Sequence, residues 1–435
     1  MLPAMNSLAD LSTAPTITNV MVSPDSGKPL IQSIEDIEKH IPDKEARIET
    51  LFSGGVDSCY LLLLLLEKGY TNVHALNVNV GGPSHNDGLE TLAERAKALG
   101  ASFQSLDGRD EFVEVVRSAC RYRPRYLGGH PISSSLSRPV IAAKVSQAAK
   151  RTGAHIILHT ANQSQNSLPR INNGIKIADF SGIHGSPYAH SVIPRCDKIK
   201  ALNRAGLKFR EERDVSCDDN MLVSEFEGGP LLDDPEGPIE LKDELYRWTK
   251  DVKADRPTEE VTLEFKRGHL VSIDDKAIDG DAIAFRDALS CLNVKAGKFG
   301  IGRYYGLEHI HVDLPTESTV TEFREAPAAT LIYAAGDLLD NATLRQRDVS
   351  KLNELRMKWA LECSNGRWAG DEHRRCQETM DKMLELVSGK VTYCLEPWRY
   401  GLISVKAKKH IYVRDRDAWE VKTVGKLQRT SFMKF

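Results

Sequence analysis

The chain has 435 residues, of which 41% are hydrophobic and 27% are charged, and its 58 basic and 61 acidic side chains leave a formal net charge of −3. This balance excludes collagen-like, mucin-like and wholly disordered chains, and it gives no overall field directed at nucleic acid or an anionic membrane. The longest uninterrupted apolar run, residues 60–66, is far shorter than the ~20 residues that span a bilayer. The N-terminus lacks a signal-peptide pattern, and the eight scattered cysteines include no CxxC pair. We therefore expect a cytoplasmic protein, and its length favours an enzyme of roughly two or three domains.

Alternating strands and helices are predicted from residue 47 onward, after an N-terminal arm (1–46) that we expect to be loosely packed. Hydrophobic periodicity and glycine punctuation predict strands at 48–52, 73–80, 101–106 and 155–159, and helices at 59–66, 88–100 and 139–151. The Arg/Tyr-rich residues 121–126 are predicted as a loop. Strands separated by helices of about 10–15 residues imply βαβ units, so the expected fold class is α/β, with a parallel-sheet nucleotide-binding domain over 47–210.

The second half changes character at about residue 211. Residues 211–244 hold thirteen acids against two basic residues, and their Pro and Gly content predicts a linker or an extended loop. Further on, β-branched segments alternate with helical patterns and predict an α+β domain over 211–410, followed by a tail over 411–435. The predicted strands are 261–265, 391–395 and 401–406, and the predicted helices are 328–339 and 349–362.

One loop carries the clearest chemical pattern. Ser53-Gly54-Gly55-Val56-Asp57-Ser58 stands where a predicted strand ends and a predicted helix begins. Glycines let backbone N–H groups approach a polyphosphate closely, and the free amides and dipole of the following helix favour an anion. No lysine follows the glycines, so this is not the Walker pattern. The loop is similar to the pyrophosphate loop of the N-type ATP pyrophosphatases, which cut ATP between the α and β phosphates.

Cys59 follows this loop directly. A thiol at a helix N-terminus can have a lowered pKa, which would permit sulfur transfer. The apolar run after it favours a buried core cysteine instead.

Later segments resemble the argininosuccinate synthetase family, in matching order from about residue 47 to 410. The segments that carry the resemblance are RYRPRY (121–126) with SLSRP (135–139), HTANQSQNSLPR (159–170), SCDDN (216–220) with FEGG (226–229), KFGIGR (298–303) with Glu308, and EAP (325–327) with LIYAA (331–335). No one segment decides the matter, but their shared order does. The resemblance implies adenylation of a ureido oxygen by ATP, release of pyrophosphate, and displacement of AMP by an amine to form a C–N bond.

The resemblance also implies site residues. It assigns catalytic roles to Ser53, Asp57 and Ser58, with ATP and Mg²⁺ as cofactors and no identified metal ligands. ATP is expected against Phe52, the loop residues Ser53, Gly54, Gly55, Val56, Asp57 and Ser58, and also Val78 and Thr160. Substrates are expected at Tyr122, Ser135, Arg138, Asn162, Asn166, Ser167, Arg170, Ser216, Glu225, Glu308 and Arg324.

Several of these positions depart from the family. Where the family has Thr and Asp for the aspartate nucleophile, this chain has Asn162 and Ser167, which removes a counter-ion for the incoming amine. A serine that helps to hold citrulline aligns with Glu225, and a tyrosine with the same task aligns with Arg324 or its neighbour Phe323. New charges of both signs imply a different substrate, so we expect a related ligase with another substrate pair. True argininosuccinate synthesis is the alternative.

Two other functions remain open, a tRNA- or sulfur-modifying pyrophosphatase and a non-catalytic scaffold. The first predicts a CxxC pair or an added RNA-binding domain, and neither is visible in the sequence. The intact loop disfavours the second. His309 and His311 have a metal-like spacing, but no third ligand is visible and a solvated strand is favoured. We expect small-molecule substrates, no nucleic-acid or membrane partner, and a homo-oligomer, either a tetramer or a dimer.

Overall fold

The structure is a computed structural model that describes residues 29–83, 88–210, 215–229, 232, 234–238, 241–310 and 318–427. The strands are β1 (Leu30–Ile31), β2 (Ile48–Leu51), β3 (Val73–Asn79), β4 (Ser102–Asp107), β5 (Ile156–Leu158), β6 (Ile183–Gly185), β7 (Ser216–Asp219), β8 (Ser224–Glu227), β9 (Glu259–Lys266), β10 (His269–Ile273), β11 (Lys276–Ala277), β12 (Arg303–Ile310), β13 (Ser318–Glu325), β14 (Gly389–Glu396) and β15 (Arg399–Ala407). The helices are α1 (Ile34–His40), α2 (Val56–Glu67), α3 (Leu89–Ala98), α4 (Arg109–Tyr122), α5 (Ser134–Thr152), α6 (Ser167–Ile177), α7 (Arg195–Arg204), α8 (Ala282–Gly297), α9 (Pro327–Thr343), α10 (Gln346–Ser364), α11 (Asp371–Leu384) and α12 (Arg416–Leu427). Among the described helices, none is both long and apolar enough to cross a membrane.

The first half is built on a six-stranded parallel sheet. Its strand order is β1-β6-β5-β2-β3-β4, and every neighbouring pair is parallel. Neighbouring residues of one strand point to opposite faces of the sheet. In β3, Ala75 packs into one hydrophobic cluster and Leu76 into the other. Both faces are therefore buried, as expected for a doubly covered α/β sheet.

The predicted α/β architecture is confirmed, with differences in its helices. All four predicted strands of the first half are present as β2, β3, β4 and β5. Helix α4 was not predicted, and the predicted loop 121–126 begins inside it. Helix α5 starts at Ser134, five residues before the predicted Pro139, so that Pro139 lies in its second turn and leaves the Ser135 carbonyl without its helical hydrogen bond.

The described part of the N-terminal arm is not loosely packed. Strand β1 pairs with β6 in the sheet, and α1 begins with a capping box formed by Ser33 and Asp36. The side chains of Ile31 and Ile37 are fully buried in the core. This stretch is therefore part of the first half, while residues 1–28 of the predicted arm lie outside the described residues.

The second half contains two antiparallel sheets. Their orders are β11-β10-β9-β14-β15 and β12-β13-β8-β7, which confirms the predicted α+β character. Strands β7 and β8 lie in the segment predicted as a linker, so that prediction is wrong for residues 216–227. The acids of these two strands do not mark a linker. They belong to a sheet in which β8 pairs with β13 and whose charged face contacts the first half.

The turn between β7 and β8 brings the two halves together. The Met221 amide donates to the Val80 carbonyl over 3.2 Å, directly after β3 ends. A Cβ on Gly82 would stand 2.6 Å from the Cβ of Asp219, so this approach requires a glycine. The four-stranded sheet thus lies at the carboxyl edge of the parallel sheet, where ligands of open α/β sheets bind.

Candidate active site

The predicted phosphate loop has the geometry of an anion site. It connects β2 to α2, and Gly55 caps the helix. Gly54 has φ +72°, and a Cβ there would stand 2.0 Å from Leu92 Cδ2, so the position requires glycine. The first amides of α2 and its positive dipole end point to the space before Val56.

Two hydroxyl groups add donors at this loop. Ser53 is exposed and its Oγ lies 3.3 Å from the buried Ser58 Oγ. Ser53 Oγ also accepts from the Gly55 amide over 3.4 Å, and Ser58 Oγ donates to the Gly55 carbonyl over 3.1 Å. The loop therefore presents one exposed hydroxyl supported by a buried one.

Two cations that the sequence did not reveal also contact the loop. Lys198 Nζ of α7 lies 2.8 Å from Asp57 Oδ1, and Arg95 Nη1 of α3 donates to the Gly54 carbonyl over 2.7 Å. They come from segments with no recognisable motif, and only the fold brings them here. Both raise the positive potential beside the amides, which favours a polyphosphate.

The sulfur-transfer interpretation of Cys59 finds no support. Its side chain is fully buried, and burial raises the pKa of the thiol to about 12. The thiol donates to the Gly54 carbonyl over 3.4 Å. Cys59 is a core cysteine, as the sequence favoured.

The other three residues predicted at the nucleotide lie on the sheet beside the loop. The side chain of Phe52 is buried and its amide donates to the Leu76 carbonyl over 2.8 Å. Val78 is buried in β3, and Thr160 follows β5 at the same carboxyl edge. Their roles in ATP binding remain predictions.

Most predicted substrate residues meet in a charged layer between the two halves. Across the four-stranded sheet, Asp218 of β7 is opposite Glu225 of β8, and Glu225 is opposite Arg324 of β13. Since alternate residues share a face, Glu227 and Glu322 extend the same layer. From the first half, Arg138 and Arg170 reach the layer from α5 and α6.

Arg324 is the centre of the layer. It is 2% exposed, its Nη2 donates to Glu308 Oε2 over 2.6 Å and to Glu322, and it lies 3.4 Å from Glu225 Oε2. Although burial opposes ionisation, Arg170 and Arg324 hold the pKa of Glu308 well below its usual range. Burial raises the pKa values of Glu225 and Glu322, so one guanidinium does not compensate three carboxylates.

The first half completes the layer through charge-assisted contacts. Arg170 Nη2 donates to Glu308 Oε1 over 2.7 Å, and Asn166 Nδ2 donates to the same oxygen over 3.0 Å. Arg138 donates to both oxygens of Asp218, with one distance of 2.5 Å, and its Nε lies 3.4 Å from Ser167 Oγ. Predicted residues 138, 166, 167, 170, 225, 308 and 324 are therefore brought together.

Four predicted substrate residues are not part of these contacts. Tyr122 donates its hydroxyl to Asp381 over 2.7 Å and packs on Trp359, away from the layer. Tyr126, four residues on, lies nearer the layer: its hydroxyl accepts from the His309 amide over 3.1 Å and lies 2.9 Å from His309 Nδ1, next to Glu308. Ser135 is buried in the first turn of α5, and Ser216 is exposed on β7. The side-chain Oδ1 of Asn162 accepts a hydrogen bond from the Ser164 hydroxyl within a local turn.

Sequence reasoning missed Glu322, His130 and Ser134. Glu322 could have been found, because strand alternation places residue 322 on the same face as 324. Ser134 donates to Glu225 Oε1 over 3.4 Å, one position from the predicted Ser135. His130 had no sequence signal, since it lies in an insertion. His311 lies outside the described residues, and His309 contacts Tyr126 instead of a metal-like partner.

His130, Glu308 and Glu322 place their ligand atoms within 4.8 Å of one another. Burial lowers the pKa of His130 to about 3, so it is neutral, as a metal ligand must be. However, Arg324 Nη2 already donates to both carboxylates. The guanidinium supplies the positive charge at this point, and the trio does not fit Mg²⁺.

Comparison with known proteins agrees with this geometry. The family model for the arginosuccinate synthase N-terminal HUP domain matches residues 47–199, and the model for the arginosuccinate synthase C-terminal domain matches residues 215–434. Argininosuccinate synthases of Pyrococcus furiosus and Pyrobaculum aerophilum are each 30% identical over 83% and 80% of this chain and 85% of their own length. The enzyme of Methanopyrus kandleri is 28% identical over 89% of this chain and 95% of its own. The chain therefore belongs to the argininosuccinate synthase family and is an ATP-dependent ligase that forms C–N bonds.

Proposed function

We propose that this ligase cleaves ATP to AMP and pyrophosphate, adenylates a ureido or carboxylate oxygen, and transfers the activated carbon to an amine. The substrate oxygen attacks the α-phosphorus, and the bond from that phosphorus to the bridging oxygen of pyrophosphate breaks. The amine then attacks the activated carbon, and AMP leaves with the oxygen that was adenylated. We further propose that the substrate pair differs from citrulline and aspartate.

The phosphate loop supports the first step. We place the departing pyrophosphate at this loop, where it would gain charge. The groups around it are the amides at the start of α2, the Ser53 hydroxyl and the cations Lys198 and Arg95. Stabilisation of that charge needs fixed donors rather than a covalent nucleophile. Ser53 and Ser58 therefore act as donors, directly or through one another.

Mg²⁺ fits this loop better than the layer. Asp57 is the one acid of residues 53–58, and its carboxylate is partly exposed. Mg²⁺ prefers one or two carboxylates together with phosphate oxygens and water. Lys198 already pairs with Asp57 Oδ1, so Asp57 would hold the ion through its other carboxylate oxygen, and the bound ion would neutralise charge on the phosphates.

The different substrate pair rests on one observation, the Arg324–Glu225 contact at the centre of the charged layer. By the resemblance, Glu225 stands at a serine position and Arg324, or its neighbour Phe323, at a tyrosine position, both of which hold citrulline in the family. Glu225 and Arg324 carry opposite charges 3.4 Å apart. Ser167, aligned with the acid that faces aspartate, lies against Arg138 Nε instead. An acid at that position would be drawn to Arg138 and not to an incoming amine.

Citrulline and aspartate remain a second candidate pair, because Asn166, Arg170 and Glu308 meet at one point. These are the residues that the resemblance assigns to substrate binding without substitution. Relatives at 30% identity carry the name argininosuccinate synthase.

The test measures AMP and pyrophosphate released from Mg-ATP with citrulline, other ureido compounds or simple carboxylates, each combined with aspartate or another amine. We expect release with at least one other pair and none with citrulline plus aspartate. Ser58→Ala should reduce release at least tenfold by removing the hydroxyl behind Ser53, whereas Cys59→Ser serves as the neighbouring control. Release of ADP and phosphate would contradict the proposed reaction, and activity with citrulline plus aspartate would contradict the altered pair. Failure to bind Mg-ATP would favour the scaffold.

A further inference from the structure

The charged layer holds more carboxylates than guanidinium groups. Its acids and arginines are Asp218, Glu225, Glu227, Glu308 and Glu322 against Arg138, Arg170 and Arg324. Buried acids without a counter-charge are costly, so the layer as described lacks positive charge.

The arginines are already occupied by protein acceptors. Arg170 donates from Nε to the Ser364 carbonyl over 2.8 Å, from Nη1 to Ser134 Oγ over 2.9 Å and from Nη2 to Glu308. The guanidinium of Arg170 is only 3% exposed. It has no free edge with which to take a substrate carboxylate in the usual bidentate way.

Arg324 and Arg138 are occupied in the same manner. Arg324 donates from Nη1 to the Pro131 carbonyl over 2.8 Å and from Nε to Glu322 over 3.2 Å, in addition to its Nη2 contacts. Arg138 spends both terminal nitrogens on Asp218. A substrate carboxylate would have to displace one of these ion pairs and leave a buried acid without its partner.

The acids with the fewest donors lie on β8. Glu225 is 5% exposed, Ser134 Oγ donates to its Oε1 over 3.4 Å, and Arg324 Nη2 lies 3.4 Å from its Oε2, but that second oxygen accepts no hydrogen bond from the described residues. The Glu227 carboxylate also receives no hydrogen bond from any side chain in the part of the chain that the structure covers. Unlike Glu225, Glu227 is partly exposed, so a ligand can reach it from solvent.

We propose that Glu225 and Glu227 bind a cationic nitrogen group of the substrate, an ammonium, amidinium or guanidinium, and that this end of the substrate has no carboxylate. The inference rests on the proposed function, of which it names the substrate class. The two residues stand two positions apart on one face of β8, so their Cα atoms are about 7 Å apart. One nitrogen group with several N–H donors can bridge them.

The arrangement also separates this ligase from one that uses an amino-acid substrate at this end. A zwitterion brings a carboxylate that needs a free arginine, and each arginine of the layer is engaged. A cation instead supplies positive charge to Glu227 and to Glu225, which shares Arg324 with two other carboxylates. The site therefore discriminates by leaving the wrong group without a partner.

The experiment compares two probes of similar length, 1,4-diaminobutane and 4-aminobutanoate, by isothermal titration calorimetry against the full chain with Mg-ATP present. We expect the diamine to bind at least tenfold more tightly. Glu225→Gln and Glu227→Gln should each weaken diamine binding about tenfold. Glu378→Gln, at an exposed position of α11, is the control and should change nothing.

Glu227→Gln keeps the test valid if Glu225→Gln does not fold, because Glu227 is partly exposed. Equal or tighter binding of 4-aminobutanoate, or diamine binding indifferent to the Glu227 substitution, would overturn the inference. The AMP assay reports the proposed function separately. AMP formation that prefers zwitterionic substrates would refute only the inference. Diamine binding that the Glu225 and Glu227 substitutions weaken, without AMP formation from any substrate pair, would refute only the ligase reaction.

Discussion

Glu227 is the residue in which the charge imbalance has a measurable effect on stability. Burial, and then the neighbouring Glu225, raise the pKa of its carboxyl from 4.5 to about 7. Asp218 and Glu308 add to this rise, and Arg138 opposes it. A raised folded-state pKa means that the native protein binds more protons than the unfolded chain between about pH 4.5 and 7, so stability falls as pH rises through this window.

Glu227→Gln should remove that loss. We expect the variant to match the parent protein near pH 4.5 and to exceed it at pH 8 by up to about 3 kcal/mol, since one pKa unit corresponds to ~1.4 kcal/mol. Partial exposure of Glu227 reduces the value toward about 1–2 kcal/mol. Urea unfolding at several pH values measures it, with Glu378→Gln as the control. A variant that gains equally at both pH values would show that the carboxyl is not perturbed.

At the residue scale, the sequence indicated substituted charges but not how they are paired. The resemblance singled out Glu225 at a serine position and Arg324, or its neighbour Phe323, at a tyrosine position, and the structure joins Glu225 to Arg324. The resemblance pointed to Tyr122, whereas the fold turns that hydroxyl to Asp381 and brings Tyr126 to His309, next to Glu308. The two tyrosines are four residues apart, and α4 ends between them at Arg123, which has a left-handed conformation.

At the element scale, a substitution in α1 tests whether the described part of the N-terminal arm belongs to the first half. Ile37 is fully buried, and the Tyr70 hydroxyl donates to the carbonyl of Ile41, directly after the helix, over 2.6 Å. Ile37→Ala should therefore lower the free energy of unfolding by about 2–4 kcal/mol, as in other cavity-forming core substitutions. Chemical denaturation measures the loss. The control is Ile177→Ala at the exposed end of α6, and equal effects of the two substitutions would mean that α1 is only appended.

The elements that sequence patterns missed share a physical cause. Strands β2, β3 and β5 could be predicted because apolar residues such as Ile48, Ala75, Leu76 and Ile157 are buried on both faces of the sheet. Strand β1 has only two residues, too short for a periodic signal. The amphipathic residues 34–39 indicated one or two helical turns, and α1 is found there, but they gave no sign that it packs into the core. Strands β7 and β8 hide their regularity because one face is ionic, so hydrophobic alternation fails where tertiary charge pairing replaces the apolar core.

At the scale of the whole molecule, the two halves share one hydrophobic cluster, and ion pairs, buried and half-buried, add two polar contacts between them. Arg170 and Arg138 reach Glu308 and Asp218 in the substrate layer. A second contact lies farther from the loop, where Arg123 at the end of α4 binds two acids of α9. Because both connections are polar, neither could be predicted from hydrophobic patterns, and long-range pairs of this kind have no local sequence signature.

Substitution of Arg123 tests how strongly the stability of one half depends on its contact with the other. Its side chain is fully buried, with Nε 3.0 Å from Asp337 Oδ1 and Nη2 2.5 Å from Asp340 Oδ2. Arg123→Met keeps the apolar stem but leaves Asp340 with Arg356 as its remaining partner at 2.7 Å. We expect a loss of about 3 kcal/mol, because removing one partner of a buried pair leaves an under-compensated charge.

The control for Arg123 is Arg399→Met, since Arg399 pairs with Glu396 at the exposed start of β15 and exposed pairs contribute at most about 1 kcal/mol. Urea unfolding with tryptophan fluorescence compares the two. Asp340→Asn combined with Arg123→Met should cost less than the sum of the single substitutions, since the double variant removes both charges. If the costs simply add, or if Arg123→Met costs no more than Arg399→Met, the halves do not depend on this contact. A single unfolding transition in the parent that separates into two in Arg123→Met would instead show that the pair couples the folding of the nucleotide-binding half to the half that carries the substrate layer.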